Sequence, residues 1–183
     1  MRCFKIAEEH EALQLDTRNR LYTEIRKSPG LHFRELQRRV NMATGALQYH
    51  LEYLEKKSLI KSERVENTKR FFVMQSKRIE GEEQVMPFLR QEKTRHILMA
   101  MLSGRKNTIQ SLARKTKTPY STTSRLLDKI VNAGVSQKTR KSKQIHYTLE
   151  KPENITEMLI TYRKSFLDGM VDEFVATVQE LKT

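Results

Sequence analysis

The segment GALQYHLEYLEKKSLI, residues 45–60, combines an apolar helical face with hydrogen-bonding side chains. Its apolar residues recur at three- and four-residue steps and predict one buried face, formed by Leu47, Leu51 and Leu54. Between them stand an amide, a phenol and an imidazole, carried by Gln48, Tyr49 and His50. The run ends in Leu59-Ile60, after which the pattern becomes that of a strand. This arrangement predicts a short helix that presents polar groups to a partner and leads directly into a hairpin.

Other residues that commonly carry catalysis are scattered along the 183-residue chain. The single cysteine, Cys3, has no partner for an intrachain disulfide or a zinc site, which fits a reducing cytosol. None of the five histidines stands in an HExxH or similar ligand spacing. The sequence also lacks a phosphate-binding glycine loop and a nucleophile elbow. We therefore expect no metal, no cofactor and no enzymatic activity.

The net charge of +13 is distributed unevenly. Residues 1–79 carry +7 and residues 80–151 carry +9, whereas residues 152–183 carry −3. Such clustering of lysine and arginine indicates a polyanionic partner, and a basic protein kept soluble by its charge is the plainer alternative. The longest unbroken apolar run is residues 97–102, and a membrane span needs about 20 residues, so we expect no membrane partner.

Residues 16–76 predict one small domain of three helices and a hairpin. The first helix is ended by Ser28-Pro29-Gly30, and Asn41-Met42 separates the second helix from the helix of the opening segment. Residues 59–65 and 69–74 are extended runs around a short polar turn, which indicates a hairpin.

The same pattern returns after residues 77–91, where a glycine, a proline and acidic residues predict a linker. Residues 92–151 again predict three helices and a hairpin, the latter formed by residues 135–140 and 144–149. The apolar positions of the two halves correspond at a constant offset of 76 without a gap. This shared register predicts two tandem copies of one fold.

The C-terminal residues 152–183 predict one long helix, and residues 1–15 are taken as an N-terminal extension. Apolar residues recur along the helix at three- and four-residue steps, with Gly169 as a weak point. Such a stripe needs a partner surface. We expect it to pair with the same helix of a second chain, while packing on its own domains is the alternative. The expected dimerisation residues are Leu159, Tyr162, Phe166, Met170, Phe174 and Val178.

The order of three helices and a hairpin is that of the winged helix-turn-helix, whose third helix enters the major groove. The run LQYHLEYLEKKSLI resembles the recognition helix and first wing strand of winged-helix regulators of the ArsR/MarR kind. STTSRLLDKIVNAGV, residues 121–135, resembles the same element, and tandem copies with a C-terminal helix look like archaeal transcription regulators. The expected fold is mainly α with small β wings: two tandem winged helix-turn-helix domains plus a long C-terminal helix.

This resemblance implies which side chains would contact DNA. The groove-facing candidates are Thr44, Gln48, Tyr49 and His50, then Tyr120, Ser121, Thr122, Ser124 and Arg125. The wing candidates are Lys61, Arg64, Lys69 and Arg70, then Lys138, Arg140, Lys141 and Lys143. For Tyr49 and His50, partial burial beside the first helix is an open alternative. For the wing residues, the alternative is a solvated hairpin that does not contact DNA. Because phosphate would repel them, Glu52 and Glu55 are expected to face away from DNA.

Three functions compete on this basis. The leading expectation is a sequence-specific double-stranded DNA-binding transcription regulator that acts as a homodimer, cytoplasmic and associated with the nucleoid. A sequence-independent nucleoid or architectural DNA-binding protein would use the same basic surface. The third is a tandem winged-helix protein-docking adaptor, which the charge of +16 on residues 1–151 disfavours. The sequence leaves open whether a small-molecule effector binds.

Overall fold

The computed structural model of the protein describes residues 15–65, 67–74, 79–104, 107–141 and 144–180. The chain forms two compact units, Met1–Arg78 and Ile79–Thr183. Each unit is mainly helical with a small antiparallel sheet, which confirms the expected fold class at this level. The predicted N-terminal extension, apart from Leu15, lies outside the described residues.

The described residues of the first unit form three helices followed by a hairpin, as the sequence predicts. The helices are α1 (Asp16–Lys27), α2 (Phe33–Val40) and α3 (Thr44–Lys56). The strands are β1 (Leu31–His32), β2 (Ile60–Val65) and β3 (Thr68–Val73). They form an antiparallel sheet in the order β1-β3-β2, with β2 and β3 as the hairpin.

The core of the first unit uses the apolar positions that the helical spacing selects. Leu47, Leu51 and Leu54 of α3 are buried against Leu21 and Ile25 of α1 and the apolar side of the sheet. Burial of one such side chain contributes about 1.5–3 kcal/mol to the free energy of unfolding. This packing fixes the rotation of α3, so its intervening polar residues face outward.

The second unit has a longer series of elements. Its helices and strands are α4 (Glu82–Leu89), α5 (Glu92–Leu102), α6 (Ile109–Lys115), α7 (Tyr120–Asn132), β4 (Ser136–Lys141), β5 (Gln144–Leu149), α8 (Pro152–Thr161), α9 (Arg163–Phe166) and α10 (Gly169–Glu180). Elements α5, α6, α7, β4 and β5 each begin 76 residues after α1, α2, α3, β2 and β3. The backbone N–H of Tyr147 donates to the Asn107 carbonyl at 2.8 Å, at the positions equivalent to the Phe71–Leu31 pair of the first sheet.

The prediction of a linker over residues 77–91 is wrong for residues 82–89, which form helix α4. Residues 77 and 78 lie outside the described part of the chain. Val85, Met86, Phe88 and Leu89 are buried in the second unit, and α4 packs against α8. Burial of this apolar run outweighs the helix-breaking tendency of Gly and Pro. The segment is thus part of the second unit's core.

The prediction of a single C-terminal helix is also wrong, because the segment forms three helices, α8, α9 and α10. Leu167 takes a left-handed conformation with φ of 53°, which ends α9. The Asp168 carboxylate then accepts a hydrogen bond from the Met170 backbone N–H at 3.0 Å at the start of α10. The break lets α10 pack back against α8, so part of the apolar stripe is buried within its own unit.

Candidate nucleic-acid interface

A short turn positions α3 relative to α2. Asn41 ends α2 in the left-handed conformation, with φ of 51°, which asparagine tolerates better than most residues. The Gln37 amide donates to the Met42 carbonyl and to the Thr44 hydroxyl, each at 3.0 Å. These bonds tie the first residue of α3 to α2 and form a rigid helix–turn–helix.

The outward face of α3 presents Thr44, Gln48 and Tyr49 to solvent. Tyr49 is 59% exposed, so for this residue the alternative of burial does not apply. The Gln48 amide donates to Glu52 Oε1 at 3.0 Å, four residues further along the same exposed face. The expectation that Glu52 faces away from this surface is therefore wrong, and the i,i+4 spacing from Gln48 is the signal that sequence reasoning missed.

His50 lies behind this face and is half-buried. Its Nδ1 atom is buried without a hydrogen-bond partner among the described residues, and its ring meets the edge of the Tyr49 ring at a centroid distance of 5.3 Å. Burial, aided by the nearby Arg18 guanidinium, lowers the pKa of His50. Of the two roles left open for His50, the structure favours packing beside the first helix.

The first wing carries exposed and buried cations. Arg64 and Lys69 are exposed, although Lys69 Nζ also lies 3.0 Å from a Glu55 carboxylate oxygen on α3. Lys61 is half-buried and lies 3.0 Å from Glu63. Arg70 is only 5% exposed and donates to the Gly30 carbonyl at 2.8 Å. The expectation of Arg70 as a surface cation is wrong, because its side chain satisfies a buried carbonyl.

The second unit places a comparable set of side chains on α7 and its hairpin. Tyr120, Ser121 and Arg125 are exposed, whereas Thr122 and Ser124 are half-buried. Lys138 and Arg140 are exposed on β4, and Lys138 Nζ lies 3.9 Å from the Asp128 carboxylate of α7. Lys141 is the last residue of β4, but its side chain and the whole of Lys143 lie outside the described part of the chain.

The expected dimerisation residues fall into two groups. Leu159 and Phe166 are buried within the second unit, and the Tyr162 hydroxyl donates to Glu82 Oε2 of α4 at 2.6 Å. These three residues therefore make contacts within the second unit, which corrects the expectation that they pair with a second chain. Met170, Phe174 and Val178 instead line an open groove of about 970 Å³ within the second unit.

One comparison with known proteins covers most of the first unit and the start of the second. Residues 15–83 match a family model described as an N-terminal HTH domain. Over this stretch the chain is similar to a helix-turn-helix domain, and we call its described residues the HTH domain. In it α2 and α3 hold the places of the motif's two helices, and α3 holds the place of the recognition helix.

A second similarity is to a protein named as a transcription regulator. A segment of 62 residues, 34% of the chain, is 40% identical to an uncharacterized HTH-type transcriptional regulator of Methanocaldococcus jannaschii. That segment spans 16% of the relative's own length. The resemblance to helix-turn-helix transcription regulators is thereby confirmed.

Across the described ranges, no helix is long and apolar enough to cross a bilayer. Within the same ranges, His, Cys, Asp and Glu form no group of three or more that could hold a metal ion.

Proposed function

We propose that this protein is a sequence-specific double-stranded DNA-binding transcription regulator without enzymatic activity. The observation that carries the proposal is the recognition helix α3, whose exposed face presents Thr44, Gln48 and Tyr49 beside a wing with exposed Arg64 and Lys69. The amide and phenol suit hydrogen bonds to base edges and phosphates, and the wing cations suit the backbone. The HTH domain and the similarity to a named transcriptional regulator support this function.

The second unit is proposed as a second winged helix-turn-helix that binds DNA through α7. Its support is the offset of 76 residues at the start of five elements, together with the exposed Tyr120, Arg125 and Arg140. The net charge of residues 80–151 is +9, which favours contact with phosphates. In this arrangement one chain reads two segments of duplex.

Homodimerisation is a further part of the proposal. Support comes from α10, where Met170 is 49% exposed and Phe174 and Val178 are half-buried beside it. A dimer would bring four recognition helices to DNA and would favour sites with two-fold symmetry. We place the protein in the cytoplasm, associated with the nucleoid.

The test is selection from a pool of random duplexes by the full-length protein, followed by sequencing, at physiological salt, where the Debye length is about 8 Å. We expect an enriched motif that is weakened by Gln48→Ala or Tyr49→Ala. Gln84→Ala, which removes an exposed amide on α4, is the matched control and should leave the motif unchanged.

Three other outcomes would contradict the proposal in distinguishable ways. Binding without enrichment would indicate an architectural DNA-binding protein. Undetectable binding even at low salt would favour a protein-docking adaptor. A monomer in sedimentation at the concentrations that bind DNA would remove the homodimer and leave the DNA-binding part intact.

A further inference from the structure

We propose that Glu52 reads a base together with Gln48, so that the HTH domain selects a cytosine next to an adenine in the major groove. This inference rests on the proposed function and specifies the chemistry of its site. It begins from the position of Glu52, which lies on the exposed face of the recognition helix. A carboxylate here opposes the general attraction to phosphates, so it weakens binding to DNA of arbitrary sequence.

The partner of Glu52 distinguishes it from the other acidic residue of α3. Glu55 lies 3.0 Å from the wing cation Lys69, so its charge is balanced within the protein. Glu52 Oε1 instead accepts a hydrogen bond from the neutral Gln48 amide at 3.0 Å. This bond orients both side chains and leaves Glu52 with its full negative charge and a second oxygen that can accept from a ligand.

The base edges that suit this pair follow from hydrogen-bond chemistry. An ionised carboxylate only accepts, and in the major groove the donors are the amino groups of cytosine N4 and adenine N6. Gln48 uses one N–H on Glu52 and retains a second N–H and its carbonyl oxygen, which match N7 and N6 of adenine. Glu52 therefore pairs best with the cytosine amino group and rejects guanine, which offers two acceptors at this edge.

The spacing of the two residues suits neighbouring base pairs. Four residues of α-helix advance about 6 Å, and both side chains extend from one face. The hydrogen bond keeps their ends together, so their remaining groups address one small region of the groove.

The second unit supplies a comparison in the same chain. The equivalent positions, 76 residues later, are Ser124 and Asp128, and Asp128 lies 3.9 Å from the wing cation Lys138. Next to them the exposed Arg125 offers only donors, which suit guanine O6 and N7. The helix α7 thus lacks the amide–carboxylate pair, and Asp128 serves as a matched control for a change of charge.

The experiment is selection from random duplexes with full-length wild type, Glu52→Gln, Gln48→Ala and Asp128→Asn, with binding constants measured on the resulting sites. For Glu52→Gln we expect the preference for cytosine at one position to fall about tenfold, while affinity for random duplex rises. Gln48→Ala should remove the preference for adenine at the neighbouring position. Asp128→Asn should leave both positions unchanged. Circular dichroism of each variant confirms that folding is retained.

The outcomes separate this inference from the function on which it rests. If the wild type selects a motif and Glu52→Gln raises affinity equally for all sequences, Glu52 is only a repulsive charge and the inference fails while the proposed function stands. An equal loss of cytosine preference in Asp128→Asn would also overturn it. If the wild type selects no motif, the proposed function fails and this inference fails with it.

Discussion

The two units share an order of elements and differ in the side chains that α3 and α7 expose. Helix α3 presents Gln48 hydrogen-bonded to Glu52, whereas α7 presents the exposed Arg125. The first helix therefore exposes an amide bonded to a carboxylate, and the second exposes a guanidinium beside the hydroxyls of Tyr120 and Ser121. Because the apolar register fixes each fold, the solvent-facing positions can differ in chemistry without disturbing the core.

Their interiors differ as well. Arg70 is buried against the Gly30 carbonyl in the first unit, and the equivalent position in the second unit is the half-buried His146. In the second unit, Arg95 is buried on Asp168, while the equivalent position of the first unit is Asn19. The comparison shows that the same register of apolar residues accommodates different buried polar contacts, since Arg70 and Arg95 each bind a partner within their own unit.

The largest effects should come from equivalent leucines in the two cores. Leu51→Ala and Leu127→Ala each remove a buried side chain and leave a cavity, so each should lower the free energy of unfolding of its own unit by about 3–5 kcal/mol. Amide hydrogen exchange on the full chain measures this unit by unit. Loss of protection in both units from either substitution would show that the units unfold as one.

A smaller loss of stability, confined to the second unit, should follow removal of the Asp168 carboxylate. Asp168 accepts hydrogen bonds from Arg95 Nε at 2.8 Å and from His96 Nε2 at 2.9 Å, and these bonds hold the pKa of Asp168 below its usual value against the opposing effect of burial. Asp168→Ala leaves the buried Arg95 without its carboxylate and should cost about 3 kcal/mol in urea unfolding at pH 7.

Asp172→Ala is the control for that substitution, because Asp172 pairs with Arg163 at the exposed surface. The cost of removing such a pair should stay below about 1 kcal/mol. Equal costs for Asp168→Ala and Asp172→Ala would contradict the structural role assigned to the buried pair.

The wings allow a direct comparison of phosphate contacts. Arg64 and Arg140 occupy equivalent, exposed positions on β2 and β4. If both wings contact the backbone, replacing either by Ala should reduce the slope of log K against log salt by about 0.9. Lys164→Ala, at an exposed position on α9, should not change the slope. A change with Arg140→Ala alone would assign phosphate contact to the second wing only.

The smallest expected effect is a difference in acid sensitivity. Burial lowers the pKa of His50 and of His32, and the equivalent positions of the second unit are Leu126 and Thr108, which do not titrate. The unfolded chain therefore binds more protons than the folded first unit below pH 6.5. The stability that the neutral histidines provide is complete above pH 6.5 and is lost as pH falls below it.

His50→Leu, which copies the second unit, should reduce this dependence. The measurement is the free energy of unfolding between pH 7.5 and 5.5, a range above the titration of Asp168. An unchanged pH dependence in His50→Leu would show that burial of this imidazole does not contribute.

Much of the local structure of the first unit follows from its sequence. Leucines at helical spacing predicted the buried side of α3, and the extended runs on either side of a polar turn predicted the hairpin. In the second unit, the Thr108 hydroxyl caps α6 by accepting a hydrogen bond from the Ser111 backbone N–H at 3.2 Å. These features depend on residues within one or two turns of each other, which is why periodicity and short signals are sufficient.

The predictions from sequence that proved wrong mostly concern contacts between residues far apart in the chain. Arg70 is buried because a carbonyl 40 residues away accepts its hydrogen bond, and Glu82 is held by a tyrosine hydroxyl 80 residues away. No local pattern reports either contact. Glu52 is an exception, because its partner Gln48 is only four residues away: the negative charge predicted repulsion from DNA, and the local i,i+4 contact was the missed signal.

The sequence by itself therefore determined the elements of the HTH domain, the repeat of apolar positions at an offset of 76, and the basic character of residues 1–151. The tertiary structure decided which polar side chains remain on the surface, that residues 82–89 belong to a core, and that the C-terminal stripe divides into three helices. The physical reason is that helical and strand periodicity arise from neighbouring residues, whereas burial of a polar group depends on a distant partner that replaces water.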